Sequence, residues 1–453
     1  MKALSVDFPQ SVRWAIGKLN AAGYEAWAVG GCVRDSALGK QPHDWDMTTS
    51  ALPEETMAVF EGCPVIETGL KHGTVTVLAD GEPLEITTYR VDGSYSDGRR
   101  PDSVSFTRSL EADMARRDFT INAMAAHPEK GIVDCFGGLE DLQNGVIRCV
   151  GDPERRFSED ALRILRALRF SAVLGFPIEP QTANALLRIR ENLRHVAMER
   201  IFSELKRMLC GRDAGRILRE FPQVLWVFLP ELQPMAGFEQ HNPHHLYDVW
   251  EHTVRAVEAA PADEALRLAL LLHDAGKPAC FTMDEGGTGH FYGHPAKSRE
   301  LADAVLQRLW ADHDTRERVL TLIEHHDAAI PATPSAVRRW LGKLGEKGFF
   351  DLLAVKRADN RAQNQALFSC EGELDALSAL AEEILAAGQC FTLKSLAVGG
   401  RDLMELGLQP GPAMGKLLSR LLELVVEGKC PNEREALMEM AKKALSENRP
   451  ENP

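Results

Sequence analysis

Paired cysteines are missing from this chain: its nine cysteines are scattered singly, with no CxxC spacing and none beside the histidine clusters. An odd, unspaced set argues against a disulfide framework and fits thiols kept reduced in a cytosol. Long apolar runs are missing too. No stretch of about 18 apolar residues occurs, so no membrane span is expected. The opening residues, MKALSVDFPQSVRW, hold no apolar core of signal-peptide length. A cytoplasmic location is the resulting expectation. Basic excess is also absent, since the net charge is −14, opposite in sign to most nucleic-acid binders. One stretch departs from that average. From Arg155 to Glu220 there are fourteen Lys and Arg against eight Asp and Glu, a net of +6, so the remainder carries −20. Such a stretch suits local phosphate binding with repulsion elsewhere, and it equally suits a solvated helix face.

What is present is ordinary in bulk: 453 residues, 44% apolar and 26% charged. At roughly 150 residues per domain this suggests about three units. Residues 1–150 read as α/β. The runs AWAVGG (26–31), HGTVTVLA (72–79) and PLEITTY (83–89) are short, β-branched and bounded by Gly, Pro or acids. A helix pattern runs from Pro53 to Gly62, with proline suited to its first turn. From Ser158 onward the texture is helical, as in EDALRILRALRFSAVLGF, where Leu162, Leu165, Leu168 and Phe170 keep helical spacing. The expected class is therefore α+β: a head at 1–150, a helical domain at 151–235 and a helical tail domain at 236–445. The final polar SENRPENP is expected to be disordered.

The segment AVGGCVRDSALGKQPHDWDMTT (28–49) carries the chemistry. A strand runs into Gly30-Gly31, and a helix pattern follows from Val33 to Leu38. Glycines at such a turn let backbone N–H groups approach a phosphate, and Arg34 lies one turn into the helix, placed for a charge-assisted bond to a triphosphate. If DWDMTT is a strand, Asp44 and Asp46 share one face. Two carboxylates that close call for a cation, and Mg²⁺ held by carboxylates and substrate phosphates is the usual arrangement. Glu85 in LEITTY is placed to add a third carboxylate from a neighbouring strand.

These segments resemble the class II nucleotidyltransferases, which comprise bacterial CCA-adding enzymes and poly(A) polymerases. The matches are GGCVRDSALG (30–39) with DWD (44–46), LEITTYRVDGSYSDGRRPDSVSF (84–106), RRDFTINAMA (116–125), RFSEDALRILRALRF (156–170) and ERIFSELKRML (199–209). The resemblance implies that Asp44 and Asp46 hold catalytic Mg²⁺ and that Glu85 completes the set. It implies that Gly31, Arg34 and Arg117 contact the incoming nucleotide, while Asn122 steadies a turn. The family's EDxxR motif, which reads CTP against ATP, falls on Glu159, Asp160 and Arg163, with Arg166 and Arg169 continuing the row. Asp160 and Arg163 at i and i+3 would share a helix face. The implied partners are tRNA, CTP and ATP. A poly(A) polymerase or an enzyme adding only CC or only A shares these segments, although DGSYSDGRRPDSVSF matches a family loop, mobile and important for the final A.

Ten of the fourteen histidines fall between residues 241 and 360. His273-Asp274 sits in the apolar helix pattern ALRLALLLHDAGK, where a carboxylate beside an imidazole is unfavourable unless paired or bound to metal. Such ligands suit a divalent transition metal. The stretch resembles the HD phosphohydrolase superfamily, with its H…HD…D pattern. That resemblance assigns His252, His273, Asp274 and Asp359 as ligands, with His294 and either His325 or His326 extending the site toward two metals; His325 is carried in the set. His245 competes with His252 for the first position, but His252 lies in a helix pattern and His245 in a loop. Lys277 is a candidate for a substrate phosphate. Tails of this type in bacterial CCA-adding enzymes are associated with phosphatase and 2′,3′-cyclic phosphodiesterase activity.

Overall fold

The computed structural model describes residues 6–66, 69–79, 81–93, 104–366 and 369–447. Residues 94–103, most of the segment matched to the mobile loop, and 448–453 of the polar tail lie outside the described residues. The chain divides into two compact units, Met1–Gln233 with Gln307–Ala311, and Pro234–Leu306 with Asp312–Pro453.

The first unit contains a seven-stranded sheet. Its strands are β1 (Ala26–Val29), β2 (Asp46–Thr49), β3 (Val65–Ile66), β4 (Thr74–Ala79) and β5 (Glu82–Thr88); β6 (Arg90–Asp92) and β7 (Val104–Phe106) form a separate ribbon, and β8 (Met124–His127) and β9 (Gly131–Asp134) complete the sheet. The order is β3-β4-β5-β2-β1-β8-β9, antiparallel except where β2 runs parallel to β5. Alternation on β4 and β5 buries Val75, Val77, Leu84 and Ile86 on one face, while β1 and β8 are buried on both sides. The short helix Gly31–Ala37 starts directly from β1. Gly30 makes that turn at φ +78°, a conformation side-chain-bearing residues rarely adopt.

Behind the sheet in sequence come the helices Pro153–Glu159, Leu162–Leu174, Pro180–Ile189, Met198–Leu209 and Ala214–Glu220. Leu162, Leu165, Leu168 and Phe170 are buried, as their spacing predicts. The helix pattern is nevertheless broken. Asp160 adopts an extended conformation between two helices (φ −142°, ψ 104°), and its Oδ1 accepts from Leu162 N at 3.1 Å. A short polar side chain that bonds the next turn's backbone N–H competes with continuous helix.

The second unit is helical apart from a small ribbon, Thr282–Met283 with Gly289–His290. The helices that carry or flank its histidines are Val249–Ala259, Glu264–Leu272, His294–Arg308, His313–His325 and Pro334–Arg361, the last interrupted at Gly345 (φ 71°). Farther along the chain, Leu403, Leu421, Leu437 and Ala441 form a separate apolar core. Among the described residues, no helix is long and apolar enough to cross a membrane.

Candidate active sites

In the first unit, Asp46 and Glu85 are direct partners across the parallel β2–β5 pair, both exposed. Neighbours in register on adjacent strands point to the same face, so the sheet itself brings these two carboxylates together from positions 39 residues apart. Asp44 is different. The strand begins at Asp46, so Asp44 precedes it and the strand-alternation argument for the Asp44–Asp46 pair does not apply. Asp44 still acts on its neighbour: desolvation by the surrounding protein raises the Asp46 carboxyl above its ordinary value, Arg117 opposes the rise and Asp44 adds to it.

Arg117 owes its position to a residue the sequence reading did not single out. Asp113, in the helix Leu110–Ala115, is fully buried. Its carboxylate holds Arg116 at 2.7 Å and Arg117 at 3.5 Å, and it accepts from Thr48 on β2 and from the Arg90 backbone at 3.3 Å each. Burial would raise its carboxyl, but Arg116 and Arg117 outweigh that and keep it ionised. The available signal was the i,i+4 spacing of Asp113 and Arg117. Gly30 completes the fit, because a Cβ there would lie 3.0 Å from the Arg117 guanidinium. Of the two glycines, Gly30 therefore makes the turn and admits Arg117, whereas Gly31 is the first helical residue.

Arg34 donates to Asn122 Oδ1 at 2.7 Å and lies 5.1 Å from the Phe170 ring centroid. Asn122 in turn donates to Asp118 at 3.1 Å. Asp118 also accepts from Arg166 Nε at 2.7 Å and from Phe119 N at 2.8 Å. Burial raises the Asp118 carboxyl, yet Arg166 and Asn122 outweigh it and bring it down to about 2. Arg169 pairs with buried Glu204 and lies 4.0 Å over the Phe170 ring centroid.

The EDxxR residues depart from the expected geometry. Asp160 and Arg163 do not lie on one helix, because the chain breaks at Asp160. Asp160 instead pairs with Arg200 at 2.8 Å, a residue of the ERIFSELKRML segment. Arg163 is buried, pairs with Glu159 at 2.8 Å and donates to Arg116 O at 3.1 Å. Asp160, Arg163, Arg166 and Arg200 nonetheless converge with Arg116, Arg117 and Asp118 around one cavity of about 250 Å³. Five guanidinium groups around so small a space suit an anion, with Asp118 and Asp160 as the acceptors among donors.

In the second unit, two sets of three ligand atoms each lie within 4.8 Å of one another: His252, His273 and Asp274, then Asp274, His294 and His326. Asp359 joins the first set, its Oδ1 2.8 Å from His252 Nε2 and 3.5 Å from His273 Nε2. Asp274 lies between the sets, 3.2 Å from His273 and 3.4 Å from His294. His325 is corrected here. It is the last residue of its helix and turns to the Trp340 ring, at 5.2 Å between centroids, whereas the adjacent His326 faces His294 at 3.2 Å. Neighbouring positions on a helical turn point about 100° apart, so only one of the two can face the cluster. His273 likewise caps the helix Glu264–Leu272 rather than sitting inside it. His245 lies at the edge, its ring 5.2 Å from that of His252.

The four imidazoles share one arrangement. Nδ1 of His273, His294 and His326 faces the backbone carbonyl three residues earlier, at 2.6, 2.9 and 2.7 Å, and Nδ1 of His252 faces Ala362 O at 3.4 Å. An Nδ1–H donated outward leaves the Nε2 lone pair pointing inward, as metal-ligating histidines are held. Nε2 of His252 and His273 and both oxygens of Asp274 are buried without a hydrogen bond of good geometry. Burial pushes the His273 imidazole down, but Asp274 and Asp359 outweigh it and raise it to about 10, while burial and His273 push His326 down to about 3. Lys277 is buried here, 2.8 Å from Asp274 and 2.9 Å from Gln240 Oε1. A cavity of about 280 Å³ opens onto the cluster.

Comparison with known proteins first defines a class. Residues 26–148 match the Poly A polymerase head domain family, and residues 299–441 match the tRNA nucleotidyltransferase domain 2 family. A CCA-adding enzyme of Lacticaseibacillus paracasei is 35% identical over 425 residues, covering 94% of each chain. One from Limosilactobacillus fermentum is 34% identical over 449 residues, 98% of this chain and 99% of the relative. The crystal structure of the Bacillus stearothermophilus CCA-adding enzyme in complex with CTP aligns at a TM-score of 0.74 and 30% identity, over 97% of this chain and 98% of that one. This chain belongs to the CCA-adding enzyme family.

Proposed function

We propose that this protein adds C, C and A to tRNA 3′ ends from CTP and ATP without a nucleic-acid template. The observation that carries the reading is the in-register pair Asp46–Glu85, with Asp44 adjoining, beside an arginine-lined cavity in the same unit. The raised Asp46 carboxyl is what a cation between Asp44, Asp46 and Glu85 would relieve, and an all-oxygen set suits Mg²⁺. Mg²⁺ held by Asp44, Asp46 and Glu85 would supply positive charge to the triphosphate and acidify the 3′-hydroxyl. Arg117, Arg34 and Arg166 bind phosphates, and Asp160 with Arg163 presents an acceptor and donors to the base. Residues 1–150 form the catalytic head, 151–235 select nucleotide and bind tRNA, and 236–445 hold a metal site and a tRNA-binding tail. Full-length CCA-adding relatives favour this over poly(A) synthesis or partial addition.

The second unit, on this proposal, is an HD phosphohydrolase for phosphate esters or 2′,3′-cyclic nucleotides. The inward-facing Nε2 atoms and the buried Asp274 carboxylate fit two transition-metal ions, with His252, His273, Asp274 and Asp359 for one and Asp274, His294 and His326 for the other. Such ions would supply an activated water, and Lys277 would add a positive charge for phosphate. The first test incubates the protein and Asp46→Ala with tRNA lacking its 3′ end and each NTP, then sequences the products. Wild type is expected to yield CCA, and Asp46→Ala is expected to lose addition while still binding tRNA. Homopolymer A tails, or addition near the wild-type rate by Asp46→Ala, would overturn the assignment.

A further inference from the structure

We propose that Tyr292, stacked on His290, is a nucleobase platform at the mouth of the histidine–aspartate cavity, so that the ligand there is a nucleoside phosphate rather than a simple phosphate ester. This rests on the phosphohydrolase reading of the second unit and specifies its substrate. The cavity that reaches Asp274, His294 and Lys277 also reaches His290, Tyr292 and Gln363. Tyr292 is 78% exposed, an unusual state for a tyrosine. Its ring lies nearly parallel to His290, at 9° and 5.2 Å between centroids. His290 is itself anchored, 2.9 Å from Asp284 Oδ2, and Asp284 is fixed in the ribbon turn by the Gly286 and Thr288 amides at 2.9 and 2.8 Å. The aromatic face is therefore preorganised before any ligand arrives.

The same short segment holds the metal-facing side of the cavity. Phe291 packs on Phe281 at 5.5 Å and lies 5.3 Å from Lys277 Nζ, while its carbonyl faces His294 Nδ1 at 2.9 Å. Phe291 and His294 thus take the inward directions, and Tyr292 is left facing outward. A phosphate alone would leave most of the cavity of about 280 Å³ unfilled, and the remaining space, lined by His290 and Tyr292, suits a ribose and base. Gln363 also lines the cavity, where a side-chain amide is chemically suited to a sugar hydroxyl.

The test uses the full chain reconstituted with Mn²⁺, Co²⁺ or Ni²⁺. It compares 2′,3′-cyclic AMP with 1-O-methylribose 2,3-cyclic phosphate, which carries the same reacting group and no base. Base stacking of ordinary strength predicts that Tyr292→Ala raises KM for cyclic AMP by about tenfold or more, with kcat and the base-free substrate unchanged and Tyr292→Phe near wild type. Equal effects on both substrates, or no effect, overturn the platform. An RNA trinucleotide ending in a cyclic phosphate distinguishes sources: a lower KM than cyclic AMP assigns the site to RNA ends, an equal one to free nucleotides. If wild type hydrolyses neither cyclic substrate, the hydrolase reading fails. The platform then stands or falls on calorimetric binding of 2′-AMP, with CTP filling the head: weaker binding by Tyr292→Ala keeps it, and unchanged binding overturns it.

Discussion

At the scale of single residues, the arginine-lined cavity of the first unit is governed by which carboxylate holds which guanidinium. Asp160 pairs with Arg200 at 2.8 Å while its Oδ1 also accepts from the backbone N–H of Leu162, the first residue of the next helix. A nucleobase reading Asp160 therefore competes with Arg200, and removing Asp160 frees that guanidinium as an unselective donor. Asp160→Ala is expected to lower the preference for CTP and ATP over UTP and GTP by roughly ten- to a hundredfold, since a lost directional hydrogen bond with a buried partner costs ~1–3 kcal/mol. Misincorporation assays with each NTP check this. A variant that loses rate but keeps its order of C, C, then A would remove Asp160 from base selection.

At the scale of elements, the loop from Arg116 to Asn122 links the sheet to the helix Leu162–Leu174 through Asp118. Asp118 accepts from Arg166 at 2.7 Å and from Asn122 at 3.1 Å within its own unit. Its carboxyl titrates near 2 in the folded state against an ordinary 3.8, so its ionisation stabilises the fold. The sign follows from that depression: the contribution is complete above about pH 4 and is lost as the pH falls toward 2. A shift of this size corresponds to about 2 kcal/mol. Asp118→Asn should lower the stability of the first unit by at least that much at pH 7, because Arg166 also loses its partner. The gap to wild type should narrow by pH 3. Urea unfolding at both pH values measures it, and a gap independent of pH would place the effect in packing instead.

At the scale of the whole molecule, each candidate site is complete within its own unit, and the two ask for different ions. Carboxylates alone suit hard Mg²⁺, whereas four imidazoles with two carboxylates suit a transition metal. Asp274→Ala is accordingly expected to abolish metal-dependent phosphate-ester hydrolysis and to leave CCA addition within about twofold at saturating Mg²⁺. Removing one carboxylate from a cluster of buried imidazoles also lowers metal content, which elemental analysis of the purified variant reads directly. Loss of both reactions in a folded Asp274→Ala protein would contradict separate sites.

Much of this was legible in one dimension. Alternation does not reach Asp44, which precedes its strand, but the change from short β-branched runs to helical spacing near residue 150 and the histidine-rich tail follow from residue type and spacing. Local chemistry determines these, because alternation, helical period and ligand type are properties of neighbours along the chain. Partner choice is not. Which strand lies beside Asp46, which arginine faces Asp160, and whether His325 or His326 turns toward Asp274 depend on sheet order, on a helix break at one residue and on about 100° of helical turn. Asp113 stayed hidden for the same reason: an acid three residues before an arginine resembles a solvated ion pair until the fold buries it against β2. Residue type and spacing set which kinds of chemistry this protein can hold, whereas which atoms meet is set by burial and register, and those depend on contacts between residues far apart in the chain.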